Sequence, residues 1–285
     1  MTDSLSFEFV RVLTIAGSDS GGGAGVQADL KTLAALGCFG MSAITALTAQ
    51  NTRGVTAIHA VPAEFLRQQI DAVMTDIGAG AVKIGMLHAA DIVRTVAQAI
   101  DRHQMRRVVL DPVMASATGA NLIEDDAQSS LVGELFPRAT LITPNLDEAA
   151  FLLGRSITTM EEMVPAAQAL QRQGAHAVLL KGGHLKGENV ADVLVQQSEA
   201  PRVFTAPRIA TRNLHGAGCT LSSAVAAYLA LGQTLAGAVE LARKYVRMAL
   251  DSSSNVVTGH GVGPLNHGFA PQGMRLRPIR PEPTK

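Results

Sequence analysis

Val12-Leu-Thr-Ile-Ala16 runs directly into Gly17-Ser-Asp-Ser-Gly-Gly-Gly-Ala-Gly25, and that loop runs directly into the amphipathic stretch Val26 to Leu36. A short apolar, partly β-branched run, a glycine-rich turn and a helical period, in that order, make a strand–loop–helix unit. The same alternation recurs downstream. Strand-like runs at Ser42 to Leu47, Ala81 to Gly85, Arg107 to Asp111, Thr140 to Thr143 and Ala177 to Lys181 are separated by helical patterns at Ala63 to Ile77, Ala90 to His103 and Met160 to Gln173. That order predicts an α/β fold with a mostly parallel central sheet covered by helices on both faces. Ala191 to Val195 and Arg202 to Ala206 follow each other with no room for a helix, so an antiparallel edge is expected there. Two further helices, Cys219 to Ala230 and Leu235 to Leu250, precede a Gly- and Pro-rich end.

Composition narrows the class. The 285 residues suit a single domain over residues 1–270, with 271–285 expected as a flexible basic tail whose Arg275, Arg277 and Arg280 alternate with prolines. Lys plus Arg and Asp plus Glu number 24 each, and aromatics make up 4% with no Trp. Neither a basic field nor stacking platforms are available, which argues against a nucleic-acid partner. The chain has no membrane-length apolar run, and Met1 to Val10 carries Asp3 and Glu8 without a basic residue, so a cytoplasmic location with no membrane partner is the expectation. Cys38 and Cys219 are too few for a disulfide framework. No histidine pair has the i, i+4 spacing of a helical zinc site.

Four segments carry chemistry. The Gly17–Gly25 loop, including Ala24, lies where open α/β sheets bind ligands, and five glycines are more than a connector needs. No Lys-Ser or Lys-Thr follows, so it is not a Walker A loop. Gly23-Ala-Gly25-Val-Gln-Ala28 fits the dinucleotide pattern, but the next strand ends in Ala49-Gln50-Asn51 and lacks the acid that would hold a ribose. Asp29 is either a ligand contact or a helix-dipole charge. Gln50 offers an amide able to pair with the edge of an aminopyrimidine, or is a surface residue. The second segment, Asn213-Leu-His-Gly-Ala-Gly-Cys-Thr220, leads glycines into a helix, so free N–H groups converge as an anion site. Cys219 at that helix start is expected to have a depressed thiol pKa and to act as proton acceptor or nucleophile, unless it is an inert buried thiol.

The third and fourth follow strands: Thr143-Pro-Asn145-Leu-Asp-Glu148 and Lys181-Gly-Gly183-His184. Asn145 and Glu148 could supply oxygens to Mg²⁺ or its waters, although Asn followed three residues later by Glu also makes a capping box. Lys181 is a compact charge suited to nucleotide phosphates. Asp111, in Asp111-Pro-Val-Met114, either orients water around a metal or begins a turn.

Together with Thr45-Ala-Leu-Thr-Ala-Gln-Asn-Thr52, Lys83-Ile-Gly-Met-Leu87 and Leu141-Ile-Thr-Pro-Asn-Leu-Asp-Glu-Ala149, these segments make the chain resemble the ribokinase-like superfamily from about Val12 to Pro264. Within it, the resemblance is to the hydroxymethylpyrimidine/phosphomethylpyrimidine kinases of thiamine biosynthesis. The resemblance implies a three-layer ribokinase-like sandwich, ATP as phosphoryl donor with Mg²⁺, a pyrimidine alcohol and then its phosphate as substrates, and a homodimer. It places the pyrimidine among Gln50, Gly17, Asp29, Ala24, Met86 and Val113. The nucleotide falls to Asn145, Glu148, Lys181, Gly183 and Thr211, the metal to Glu148 and Asp111 partly through water, and catalysis to Cys219, Gly216, Ala217, Gly218 and Lys181. Most of that superfamily carries Asp where this chain has Cys219, whereas the pyrimidine kinases commonly carry Cys. Pyridoxal kinase is the near rival. A non-catalytic vitamer sensor and a cysteine hydrolase pairing Cys219 with His215 are the readings from other classes.

Overall fold

The computed structural model describes residues 6–115, 119, 122–124 and 127–279. In chain order the elements are β1 (Phe7–Phe9), β2 (Arg11–Asp19), α1 (Gly25–Ala35), β3 (Phe39–Asn51), β4 (Gly54–Ala60), α2 (Ala63–Asp76), β5 (Ala81–Ile84), α3 (Ala90–Arg102), β6 (Val108–Leu110) and α4 (Ala127–Ser130). After an irregular helical stretch to Arg138 come β7 (Leu141–Ile142), α5 (Leu146–Leu153), α6 (Met160–Arg172), β8 (Ala177–Lys181), β9 (Asn189–Gln196), β10 (Arg202–Pro207), α7 (Ala217–Ala230), α8 (Leu235–Asp251) and β11 (Leu276–Pro278).

Nine strands form one sheet in the order β10-β9-β8-β7-β6-β5-β2-β3-β4. The run from β3 to β8 is parallel, with an antiparallel β8–β9–β10 margin at one side and antiparallel β4 at the other. Parallel strands are covered on both faces, and the pleat sorts their side chains accordingly. Leu13, Ile15, Val108 and Leu110 pack with α2, α3, α5 and α6 on one side, whereas Val12, Val109, Leu141 and Leu179 pack with α1, α7 and α8 on the other. The fold is therefore the expected three-layer sandwich.

Helix α7 is buried on most sides between the sheet and α8, its Thr220, Ser222 and Ser223 hydroxyls included, so burial rather than an amphipathic stripe holds it. α5 has a complete capping box: Asn145 Oδ1 accepts from Glu148 N at 2.8 Å, and Glu148 Oε2 accepts from Asn145 N at 2.7 Å. The structural alternative for Asn145 is thus realised.

Among the differences from the sequence reading, two concern strands. β4 went unread because Val55 and Ile58 alternate with Thr56, Ala57 and His59 on a half-exposed margin, leaving too little apolar contrast for a period. The expected flexible tail is in part a strand. Leu276–Pro278 pairs antiparallel with Phe7–Phe9, Arg275 N donates to Gly37 O at 2.8 Å, and Arg277 binds Glu8 at 2.5 Å. Three-residue strands joined across the whole chain leave no local signal. Arg280 lies outside the described residues.

The order of strand addition reverses at β2, because β3 lies on one side of it and β5 on the other while all three run parallel. In open α/β sheets the crevice outside the carboxyl ends of strands at such a reversal is where ligands bind.

Candidate active site

A cavity of about 990 Å³ occupies that crevice. Its walls are the ends of successive strands: Gly17 and Asp19 from β2, Gln50 from β3, Lys83 from β5, Asp111 after β6, Asn145 and Glu148 after β7, and Lys181 from β8. The start of α7 closes the remaining side.

The two glycine loops interlock. A Cβ at Gly23 would meet His215 Cδ2 at 2.3 Å, and one at Gly216 would meet Gly23 O at 1.9 Å. Gly216 also sits at φ +84°, a left-handed backbone that disfavours any side chain. From this N-cap the helix begins with Ala217, whose N–H returns to Leu214 O, and Thr220 N donates to Gly216 O. Between them the first-turn amides of Gly218 and Cys219 have no acceptor among the described residues, as helix geometry dictates. Free N–H groups at the positive end of a helix dipole make the anion site that the sequence suggested.

Lys181 and Asp111 meet these amides. Lys181 Nζ donates to Asp111 Oδ1 at 2.8 Å, and a Cβ at Gly218 would stand 3.2 Å from Lys181 Nζ and 3.5 Å from Asp111 Oδ2. The Thr143 hydroxyl donates to the same carboxylate at 2.9 Å, and Lys181 makes the other close hydrogen bond to it. Burial alone would raise the Asp111 pKa, but the Lys181 and Lys83 ammonium groups and these hydrogen bonds outweigh it and hold the carboxyl ionised. Burial likewise works against the charge of Lys181, and Asp111 and Glu148 more than restore it. Glu148 is pushed up to about 7, chiefly by burial and despite Lys181 nearby.

Cys219 corrects the expectation of a depressed pKa. Burial pushes its thiol up to about 11, although Lys83 and the Gly25 N–H both pull the other way. Cys219 lines the cavity and is only partly exposed. Burial of the thiol therefore outweighs the cation and the amide beside it in fixing its protonation.

Asp29 also departs from its expected place. It is fully buried and absent from the cavity wall, and its carboxylate is taken up by Lys83 Nζ at 2.8 and 2.9 Å, Thr14 at 2.6 Å and Ser223 at 2.7 Å. What faces the cavity is its partner Lys83, whose lone charge in the apolar strand Ala81–Ile84 was the available signal. Thr211 is off the wall as well, accepting from Asn213 N in a turn. Gly17, Ala24, Gln50, Met86, Val113, Asn145, Gly183, Gly216 and Ala217 all line the cavity. Asp19 went unremarked in the sequence. It accepts from the Gly21, Gly23 and Ala24 amides and from His215, so it organises the loop, and an Asp just ahead of glycines is a recognised turn signal.

No group of three His, Cys, Asp or Glu among the described residues is arranged as a metal cage. Magnesium, which keeps most of its waters and takes one or two carboxylates plus substrate phosphates, does not need one, and Glu148 and Asp111 at the cavity wall fit that role. Most of segment 115–121 lies outside the described residues. None of the described helices is long and apolar enough to cross a membrane.

Substrate-sized space at a sheet reversal, bounded by a lysine and a free helix N-terminus, defines a phosphotransferase of the ribokinase-like fold. The family model for phosphomethylpyrimidine kinase matches residues 19–266. The chain is 50% identical over 256 residues to the hydroxymethylpyrimidine/phosphomethylpyrimidine kinase of Rhizobium meliloti, covering 90% of this chain and 96% of that one. It is 46% identical to the Escherichia coli enzyme of the same name, covering 92% and 98%. It spans 54% of a bifunctional thiamine biosynthesis protein of Geobacter sulfurreducens, at 49% identity over 93% of this chain. Among solved structures, phosphomethylpyrimidine kinase from Clostridium difficile superposes with a TM-score of 0.75 at 42% identity, over 84% of this chain and 99% of that one. A Bacillus subtilis pyridoxal kinase in complex with ADP superposes with a TM-score of 0.84 at 36% identity, over 91% and 98%. The chain belongs to the phosphomethylpyrimidine kinase family.

Proposed function

We propose that this protein transfers the γ-phosphoryl group of ATP to 4-amino-5-hydroxymethyl-2-methylpyrimidine and then to the resulting monophosphate, giving the diphosphate used in thiamine biosynthesis. The observation that carries the reading is the convergence of the Gly218 and Cys219 amides with Lys181 in a cavity that also presents Gln50, Gly17 and Met86. The first group suits a migrating phosphate and the second a flat heteroaromatic ring.

In this proposal the pyrimidine lies against Met86 and Val113, with Gln50 pairing to its polar edge. Met86 and Val113 belong to a small apolar cluster with Ala46 and Leu122, so the ring meets a dry wall. The donor phosphates lie along Asn145, Lys181 and Gly183. Asp111 holds the Lys181 ammonium in place before the nucleotide arrives, so little reorganisation is left for the transfer itself. Glu148 and Asp111 would hold Mg²⁺ partly through water, and the ion would neutralise charge on the donor phosphates. The Gly218 and Cys219 N–H groups stabilise the transferring phosphoryl group. Cys219 stands beside the alcohol as the acceptor of its proton. Its raised pKa makes the thiolate a minor form, which Lys83 and the Gly25 N–H would stabilise. Loose phosphoryl-transfer transition states tolerate late proton loss, so a scarce base is adequate. The active form proposed is a homodimer.

The test is a side-by-side comparison of turnover on the pyrimidine alcohol, its monophosphate and pyridoxine. The reading expects both pyrimidines to be phosphorylated faster than pyridoxine. Preference for pyridoxine would transfer the assignment to the activity named for the pyridoxal kinase neighbours. In the same assay Cys219→Ala should lower turnover while leaving ATP affinity intact, and Gln50→Ala should chiefly weaken the pyrimidine.

A further inference from the structure

Asp19 and His215, 196 positions apart in the chain, meet at the cavity wall, both of them nine-tenths or more buried. Asp19 Oδ2 lies 2.9 Å from His215 Nε2 and also accepts the Gly23 and Ala24 amides, while Oδ1 accepts the Gly21 amide. Burial alone would raise the Asp19 pKa, but the hydrogen bonds from His215, Ala24 and Gly21 outweigh it and hold the carboxyl below its ordinary value. An ionised carboxylate only accepts, so the proton between the two residues belongs to His215 Nε2.

That assignment bears on Gln50. Its amide nitrogen, as placed, is 3.4 Å from the same His215 Nε2, and its amide oxygen is 3.1 Å from Thr48 Oγ1. Two N–H groups then face each other, and the one Thr48 hydroxyl proton is required by both the Gln50 oxygen and Ser18 O, the latter at 2.9 Å. Half a turn of the amide removes both conflicts. Its nitrogen donates to Thr48 Oγ1, which donates onward to Ser18 O, and its oxygen faces His215 Nε2–H as the longer arm of a three-centre bond whose shorter arm goes to Asp19 Oδ2.

We infer that His215, held by Asp19, is a positioning residue that sets which way round the Gln50 amide faces, and thereby which donor–acceptor edge of a heteroaromatic alcohol the cavity selects. His215 acts through Gln50 and touches no reacting atom. The inference rests on the pyrimidine-alcohol reading above, in which Gln50 meets the ring edge. The residual amide hydrogen and oxygen lone pair remain for the ligand, and their places are exchanged if the amide turns over. A ring with an exocyclic amino group beside a ring nitrogen offers such a paired edge.

The test is a double-mutant cycle on binding without ATP. Affinity for 4-amino-5-hydroxymethyl-2-methylpyrimidine and for its analogue lacking the amino group is measured by calorimetry on wild type, His215→Ala, Gln50→Ala and the double variant, with ATP affinity as the control for folding. His215→Ala is expected to weaken the aminopyrimidine about tenfold, the scale of one well-placed hydrogen bond, and to shrink discrimination against the des-amino analogue. ATP affinity should stay within about twofold, and the double variant should bind no worse than Gln50→Ala alone. His215→Gln keeps a side-chain N–H near the Nε2 position and should restore the aminopyrimidine to within about threefold of wild type. Additive losses in the double variant, or equal weakening of both ring compounds, overturn the inference and leave the kinase reading standing. If His215→Ala does not fold, failure of a folded His215→Gln to keep the discrimination has the same force. Wild-type protein that ignores the aminopyrimidine altogether overturns the kinase reading, and the inference with it.

Discussion

Alkylation of Cys219 by iodoacetamide across a pH series measures how far burial has defeated the helix dipole. With the thiol at about 11, only about one molecule in ten thousand carries thiolate at pH 7. Each unit of pH should raise that fraction, and with it the alkylation rate, about tenfold, because thiolate is the reacting form. The climb should continue to about pH 10 without a plateau. Lowering the pKa to neutrality would need about 5 kcal/mol of added preference for the anion, more than a helix N-terminus supplies. Cys38 is an internal comparison, since burial pushes its thiol up to about 11 as well, with almost no surface exposed. Peptide mapping by mass spectrometry separates the two sites. A Cys219 rate that levels off between pH 6 and 8 would refute the reasoning, because it would mean a resident thiolate whose stabilisation by Lys83 and the Gly25 amide exceeds the cost of burial.

Three further outcomes follow from buried charge and close backbone packing. Lys83→Met should destabilise the fold by about 3–5 kcal/mol in urea unfolding, since it strands the Asp29 carboxylate with only two hydroxyl partners. Lys83→Met combined with Asp29→Leu should recover much of that loss, and a double variant worse than either single would contradict it. Glu148 is raised in the folded state, so its contribution to stability is present below its ordinary pKa of 4.5 and is lost as pH rises through about 7. Glu148→Gln should therefore match wild type near pH 4 and exceed it by up to about 3 kcal/mol at pH 8, which thermal unfolding at the two pH values checks. Gly216→Ala combines a left-handed backbone cost of about 1–2 kcal/mol with a collision at Gly23 O. A lowered melting temperature and a collapse of turnover are expected, and normal turnover would show that the loops need not interlock.

Order and direction of the main elements were legible from the chain alone, because parallel strands buried on both faces and helices with one apolar face each leave a strong local period. Val12 to Ala16 falls within β2, Ala177 to Lys181 coincides with β8, and Met160 to Gln173 gave α6 to within a residue. The glycines that admit a ligand and open α7 were equally visible, since their meaning lies in the backbone freedom of the residue itself. Which charges meet was not visible. Asp29 sits on the helix after the first glycine loop, yet its destination is a lysine 54 positions away. His215 finds Asp19 from 196 positions away. The strand formed by Leu276–Pro278 exists only because Phe7–Phe9 lies beside it. Cys219 shows the division most clearly. Its place at a helix start is a local property read correctly from Gly216-Ala-Gly, whereas its protonation depends on how much protein the fold packs around the sulfur, a quantity that only the assembled tertiary structure decides.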